Sequence, residues 1–206
     1  MIAVVDYGAS NVKSVLRAFA AVGADAELTT DPEAVRGADR VVVPGVGHFA
    51  PAMRALSESG LGDAVRDTAR EGRPVLGICL GLQLFMDSSE EAPGTAGLGL
   101  LRGGVVRFPD SLIVPHVGWA RVRTTPAGAR HPVLGEAFKS GEAYFYHVHS
   151  YHPDGVPVGV TLAEADYGAP FPTILGCDAI LGVQFHPEKS QEAGLALLRA
   201  FARWAP

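Results

Sequence analysis

The chain has 206 residues, of which 48% are hydrophobic, and its formal net charge is −5. This length and composition predict one folded domain over residues 1–206 and exclude a disordered chain. No basic stripe is present, so we expect no nucleic-acid partner. The N-terminal residues do not resemble a secretory signal, and no apolar run reaches the roughly 18–20 residues that cross a bilayer. Two cysteines form no disulfide framework, so the expected location is the cytoplasm, without membrane contact.

The first half of the sequence alternates short β-rich runs with helical patterns. Strands are predicted at 2–7, 26–30, 40–45 and 74–79. A helix follows the first strand, with Ser10 or Asn11 as its N-cap and Gly23 at its end. One or two helices are predicted over 51–71, and another begins at residue 80. This alternation predicts an α/β fold with a doubly wound, mostly parallel sheet and helices on both faces.

The second half of the sequence has a different pattern. Short strand-like runs separated by Pro and Gly predict a smaller, antiparallel part. A final helix is predicted over 190–204, with Leu197, Phe201 and Trp204 on one face. Cys177 lies in one of the strand-like runs, and we expect it to be a thiol of the core.

The stretch "GICLGLQ", residues 77–83, carries the strongest indication of chemistry. Cys79 ends a predicted strand and precedes a predicted helix, between Gly77 and Gly81. G-x-C-x-G is the thiol counterpart of the G-x-S-x-G nucleophile elbow, in which small neighbours permit a sharp turn. The start of a helix favours a thiolate, and the Leu80 N–H is well placed to donate to an oxyanion. The alternative is a buried cysteine of a buried strand.

A second stretch, "VQFHPEKS" (183–190), offers a base for that thiol. His186 follows an apolar run and therefore lies near a strand end. Glu188 could accept a hydrogen bond from the imidazole and fix its tautomer, which is the role of the third member of a catalytic triad. The alternative for this stretch alone is a turn with two solvated side chains.

Together these motifs resemble the class I glutamine amidotransferases, which hydrolyse glutamine with a Cys-His-Glu triad on a doubly wound α/β fold. The match runs nearly from end to end. The stretches "DYGASNVKS", "VPGVGHF", "PHVGW" and "HPEKS" are similar to the glutaminase subunits of imidazole glycerol phosphate synthases in particular. The resemblance implies that Cys79 is the nucleophile, His186 the acid and base, and Glu188 the orienting residue. It implies L-glutamine as substrate, with no cofactor and no metal.

The resemblance also implies roles for residues around the triad. Val46 and Gly47 would supply a second oxyanion donor beside Leu80, although an ordinary tight loop is the alternative. The family holds its substrate with five residues, which correspond here to Gln83, Glu91 and the main chain of His149, Ser150 and Tyr151. The alternative for Gln83 and Glu91 is a solvated polar side chain.

The implied partner is a (β/α)₈ cyclase, which would receive ammonia for histidine biosynthesis and form a heterodimer with this chain as a free-standing subunit. Four residues match the family's interface: Asn11, Trp119, Tyr146 and Lys189. Core positions are the alternative for the two aromatic residues. The chain could instead be the glutaminase of anthranilate or pyridoxal phosphate synthesis, or a non-catalytic protein of related fold.

Three histidines in "YFYHVHSYH" (144–152) raise the question of a metal site. His147 and His149 share a strand face and His152 is close in sequence, as in some zinc sites. No fourth ligand is evident, and the family has no metal at this place. We therefore expect no metal.

Overall fold

A computed structural model describes residues 1–8 and 11–206. Its first half contains four strands and five helices. They are, in chain order, β1 (Ile2–Val5), α1 (Val12–Ala21), β2 (Ala26–Thr29), α2 (Pro32–Gly37), β3 (Arg40–Gly45), α3 (Phe49–Glu58), α4 (Leu61–Arg70), β4 (Val75–Cys79) and α5 (Leu80–Phe85).

The second half of the chain is mainly β-structure and ends in one long helix. Its elements are β5 (Ser88–Ser89), β6 (Gly104–Arg107), β7 (His116–Thr124), β8 (Glu142–His149), β9 (Tyr151–Asp154), β10 (Thr161–Asp166), β11 (Pro170–Cys177), β12 (Ile180–Val183) and α6 (Gln191–Arg203). Short 3₁₀ turns cover Gly128–Arg130 and Pro187–Lys189. None of the helices within the described residues is both long and apolar enough to cross a membrane.

The main sheet has nine strands in the order β2-β1-β3-β4-β12-β11-β10-β7-β8. The first five strands are parallel, and each later pair is antiparallel. A separate three-stranded sheet joins β5, β6 and β9. The α/β fold with a parallel region and an antiparallel part is therefore confirmed.

Helices cover both faces of the parallel region, as the sequence predicts. α1 and α6 pack on one face, with core residues such as Phe19 and Phe201. α2, α3, α4 and α5 pack on the other face, with Leu56, Val65 and Phe85 in their core. Strands β1, β3 and β4 are nearly continuous apolar runs because parallel strands are buried on both faces.

Two local expectations need correction. Cys177 is exposed, so its prediction as a core thiol is wrong: it lies at the end of β11, where the chain turns through Asp178 (φ 51°) into β12. Asn11 occupies the N-cap position of α1, but its side chain makes no capping hydrogen bond. Ser10, the other predicted cap, lies outside the described residues.

Candidate active site

The cysteine elbow lies where β4 ends and α5 begins. Cys79 has φ 54° and ψ −108°, outside the regions that side chains with a Cβ favour. Such a conformation costs of order 1–3 kcal/mol and persists only when the surrounding packing fixes it. The thiol is 6% exposed and lines a cavity of about 310 Å³. The sharp turn thus directs a nearly buried sulfur into an open space.

The two glycines beside Cys79 allow the elbow to pack closely. A Cβ at Gly77 would lie 2.8 Å from the backbone of Gly81 and Leu82. A Cβ at Gly81 would lie 2.9 Å from the Val43 carbonyl carbon and closer still to its oxygen. These neighbours are backbone atoms and cannot rotate away. Cys79 bears the strained dihedral angles itself, and its glycine neighbours bring β4, α5 and β3 together.

The strand register brings the predicted catalytic segments to one edge of the sheet. Gly45 of β3 pairs with Cys79 of β4, so the Val46–Gly47 segment begins beside the elbow. Val183 of β12 pairs with Ile78 on the other side of β4, and the chain then continues to His186. Functional residues collect at the carboxyl ends of parallel strands in this type of fold.

His186 and Glu188 form a buried pair behind the thiol. Their side chains are 1% and 0% exposed, and His186 Nδ1 is 2.7 Å from Glu188 Oε1. Because a carboxylate oxygen accepts, Nδ1 carries the proton. The same Oε1 accepts a hydrogen bond of 2.6 Å from Asn11 Nδ2. The carboxylate therefore fixes both the ring and its tautomer.

His186 Nε2 is the nitrogen available to Cys79. It is buried, and none of the described residues gives it a hydrogen bond of ordinary geometry. Burial by itself lowers the pKa of His186, but interactions with Cys79 and with Glu188 raise that pKa to about 9. The imidazolium form of His186 is therefore favoured at neutral pH. An imidazolium beside a thiolate is suited to donate a proton to a leaving group.

The cavity in front of Cys79 gathers the other predicted site residues. Its lining includes all three oxyanion candidates and all five substrate-binding candidates: Val46, Gly47, Leu80, Gln83, Glu91, His149, Ser150 and Tyr151. Leu80 is the first residue of α5, where a backbone N–H has no acceptor within the helix. Gly47 has φ 115°, which a residue with a Cβ rarely adopts.

Glu91 and Gln83 bind protein groups as well as facing the cavity. Glu91 Oε2 accepts from the Phe49 N–H at 2.8 Å, at the start of α3, and Oε1 lies 3.0 Å from His48 Nδ1. Glu91 therefore ties its loop to the segment that follows Gly47. Gln83 Nε2 donates to the Tyr151 carbonyl at 3.1 Å, which fixes its amide.

Three of the predicted interface residues form a surface cluster beside the triad. Trp119 is 48% exposed, so it is not a core aromatic residue. Its ring meets Tyr146 edge-on at 6.2 Å, and Lys189 Nζ lies 6.0 Å from the Tyr146 ring centre. The His186 N–H donates to the Tyr146 carbonyl at 2.9 Å, which joins this cluster to the triad. Asn11 lies on the other side, against Glu188.

The histidines of β8 and β9 contact aromatic rings and protein oxygens. His147 is fully buried, with Nδ1 3.1 Å from the Phe145 carbonyl and Nε2 3.0 Å from Thr173 Oγ1. Burial lowers the pKa of His147 to about 3, so it is neutral. Within residues 1–8 and 11–206, no group of three ligand side chains is placed to hold a metal ion.

Sequence reasoning missed two polar residues next to the thiol. Gln184 is fully buried, and its Nε2 donates towards Cys79 Sγ at 3.8 Å. The Tyr7 hydroxyl donates to the Pro44 carbonyl at 2.8 Å, and burial together with the charge of Cys79 raises the pKa of Tyr7. The position of Gln184 two residues before His186 is the signal that could have indicated it, because alternate residues of an extended chain share a side.

Comparisons with known proteins concern the family and the fold of the chain. A family model described as "Glutamine amidotransferase class-I" matches residues 3–203. A relative named "Imidazole glycerol phosphate synthase subunit HisH", from Symbiobacterium thermophilum, is 46% identical over 98% of this chain and 93% of its own length. A relative with the same name from Chromobacterium violaceum is 46% identical over 98% and 97%. A crystal structure of a glutamine amidotransferase, 20% identical, shares the fold with a TM-score of 0.75 over 97% of this chain and 99% of that one.

Proposed function

The chain belongs to the class I glutamine amidotransferase family, and on that premise we propose that it hydrolyses L-glutamine through a Cys79-His186-Glu188 triad. We propose further that it delivers the ammonia to a (β/α)₈ cyclase, with which it forms imidazole glycerol phosphate synthase in the cytoplasm. The observation that carries the proposal is the strained Cys79 elbow, open to a cavity, with a buried His186–Glu188 pair behind it.

The first half of the reaction breaks the amide bond. The Cys79 thiolate attacks the side-chain carboxamide carbon of glutamine, and the carbonyl oxygen becomes an oxyanion. The Leu80 N–H and an N–H of the Val46–Gly47 segment donate to it. His186 gives its Nε2 proton to the departing nitrogen, so ammonia leaves and a γ-glutamyl thioester remains on the sulfur.

The second half of the reaction returns the enzyme to its starting state. His186, now neutral, takes a proton from water while the water oxygen attacks the thioester carbon. The same N–H groups stabilise the second oxyanion. The intermediate collapses to the γ-carboxylic acid of glutamate, which releases its proton to water, and to the Cys79 thiolate, with His186 again protonated. Glu188 keeps the Nδ1 proton in place throughout and is not itself consumed.

Substrate selection follows from the groups that face the cavity. The Glu91 carboxylate matches the α-ammonium of glutamine in charge. Gln83 and the backbone of His149, Ser150 and Tyr151 offer donors and acceptors for the other polar atoms of an amino acid. The volume of about 310 Å³ is near the lower end for small-molecule sites, which suits a single amino acid.

The partner is supported by the surface beside the triad. Trp119 is exposed and its ring meets the half-buried Tyr146, and aromatic residues are enriched at the centre of protein interfaces. A cyclase seated there would cover the side of the protein next to His186. Enclosure is useful because ammonia in water becomes protonated and is lost as a nucleophile. The cyclase would combine it with a ribonucleotide to give imidazole glycerol phosphate and an aminoimidazole carboxamide ribotide.

Glutamate release from glutamine tests the proposal. The chain is assayed alone, with a histidine-pathway cyclase, and with that cyclase plus its ribonucleotide ligand. We expect strong stimulation only in the full mixture. Cys79→Ala abolishes the release, whereas Cys177→Ala, which removes the exposed thiol, leaves it unchanged.

Other results of this assay would contradict either the partner or the catalytic role of Cys79. Hydrolysis that ignores the cyclase, or that responds to an anthranilate or pyridoxal phosphate synthase, overturns the partner and keeps the glutaminase. If the proteins are shown to bind each other and still release no glutamate, Cys79 is a structural residue and the chain is a non-catalytic protein.

A further inference from the structure

Gln184 is a buried amide within reach of the nucleophile. Its residue is 0% exposed, and it follows β12 directly, two positions before His186. Its backbone N–H donates to the Thr173 carbonyl at 2.8 Å, which anchors it to β11. A buried amide must find partners for its donors and its acceptor, since an unpaired polar group costs stability.

The amide of Gln184 joins the thiol to the floor of the cavity. Its Nε2 lies 3.8 Å from Cys79 Sγ, and its Oε1 lies 3.2 Å from Gln83 Nε2. Gln83 Nε2 also donates to the Tyr151 carbonyl at 3.1 Å. A continuous series of hydrogen bonds therefore runs from the backbone at Tyr151 through two glutamines to the sulfur.

The oxygen and nitrogen of a glutamine amide can be exchanged in a structure, but the hydrogen-bond partners here determine the orientation of both amides. The Tyr151 carbonyl only accepts, so the atom of Gln83 that faces it must be the NH₂ group. That NH₂ group also faces Gln184, which must present its carbonyl oxygen. The NH₂ group of Gln184 consequently points at the sulfur. The reverse placement would set two NH₂ groups against each other.

We propose that Gln184 is a positioning residue for the reaction: it donates a hydrogen bond to the Cys79 thiolate and holds the sulfur between itself and His186. This inference deepens the proposed function and rests on Cys79 being the nucleophile. A donor favours the ionised sulfur over the thiol, because hydrogen bonds to charged groups are the stronger ones. A neutral amide does so without competing with His186 for its proton.

The alternation along the chain explains how both groups reach the same atom. Gln184 precedes His186 by two residues, and His186 has extended dihedral angles (φ −103°, ψ 94°), whereas Glu188 lies in the 3₁₀ turn that follows. Side chains at such spacing point to the same side of an extended chain. The other titratable groups near the sulfur are Tyr7, beside β3, and those that line the cavity: His48, Glu91, His149 and Tyr151. All of them are kept in the variants below.

The test measures the thiol directly. In a Cys177→Ser background, Cys79 is the only thiol, and its alkylation by iodoacetamide is followed against pH by mass spectrometry. Gln184→Met keeps the length and removes the donor. We expect its alkylation midpoint to rise by about one pH unit. Gln184→Asn, which is too short to reach Sγ, is expected to raise the midpoint as well and serves as the second variant if Gln184→Met folds poorly.

Thr173→Val is the matched control. It removes a buried hydroxyl from the strand next to Gln184, where it contacts His147 and not the sulfur. Its stability is expected to fall while its midpoint stays at the parental pH. In the complex with the cyclase, Gln184→Met is expected to lower kcat about tenfold and to change KM by less than about twofold, as for an interaction needed in the chemical step.

The outcomes separate this inference from the proposed function. A midpoint in Gln184→Met and Gln184→Asn equal to that of the parent overturns the role of Gln184 and leaves the triad intact. A shift of equal size in Thr173→Val also overturns it, because general loosening of the core would then explain the effect. Absence of Cys79 alkylation in the parent at every pH overturns the nucleophile and this inference with it.

Discussion

Substitution of Gly81 by alanine tests the close packing of the elbow. The added Cβ would lie 2.9 Å from the Val43 carbonyl carbon and closer still to its oxygen, and real Cβ atoms do not approach backbone that closely. Overpacking of a core costs typically about 1–3 kcal/mol, and here only a backbone shift can relieve it. We expect a loss near 3 kcal/mol, which lowers Tm by roughly 6–12 °C for a chain of this size.

Urea unfolding, followed by circular dichroism, measures this loss. Gly77→Ala is expected to fall between Gly81→Ala and the parent: its Cβ would meet backbone at 2.8 Å, which is too close for a Cβ but not as close as the Gly81 Cβ would come to the Val43 oxygen. Gly37→Ala is the matched control: nothing lies within 4 Å of its added Cβ, and it belongs to α2. That variant should be unchanged or up to about 1 kcal/mol more stable. A Gly81→Ala protein as stable as Gly37→Ala would refute the packing explanation for the glycines.

Three further predictions concern strain, charge and docking. Cys79→Gly should be about 1 kcal/mol more stable to urea than Cys79→Ala, because φ 54° strains alanine only; equal stability contradicts the strained turn. The pKa of His186 in the folded protein, about 9, exceeds the ordinary value of 6.5. The protonated imidazole therefore contributes stability that is complete below pH 6.5 and is lost as the pH rises towards 9. Urea midpoints should therefore decline across that range, and His186→Asn should flatten the decline; a parallel decline in that variant contradicts the assigned pKa. Trp119→Ala should weaken cyclase binding in calorimetry roughly tenfold or more, whereas Val158→Ala, on an exposed loop, should not; equal effects contradict the proposed interface.

The strand–elbow–helix unit could be predicted from the sequence because its signals are local. The apolar run before Cys79 and the flanking glycines are neighbours in the chain, and the turn that they predict is present. The same is true of His186 and Glu188, two residues apart. The predicted alternation of strands and helices gave the parallel region, although the first strand ends at Val5 and not at residue 7.

Contacts between distant segments could not be predicted in this way. The hydrogen bond from Asn11 to Glu188 joins residues 177 positions apart, and it draws the Asn11 side chain away from helix capping. The contact of Gln184 with the thiol joins residues 105 positions apart, so no local pattern alone could reveal it. The prediction of Cys177 as a core thiol failed because its hydrophobic neighbours in the sequence do not show that it is the last residue of its strand, where the side chain is exposed.

The site combines a fixed half with an open half. The side chains of Cys79, His186 and Gln184 are buried, and hydrogen bonds join Gln184 to Cys79 and His186 to Glu188. Gly47, which would complete the oxyanion site, is exposed, and a Cβ added there would meet nothing within 4 Å. A partner could change the fixed half only at the cost of buried contacts, whereas the exposed Gly47 has open space around it. We therefore expect a cyclase to act on glutamine hydrolysis through the oxyanion segment, leaving the geometry of the triad as it is.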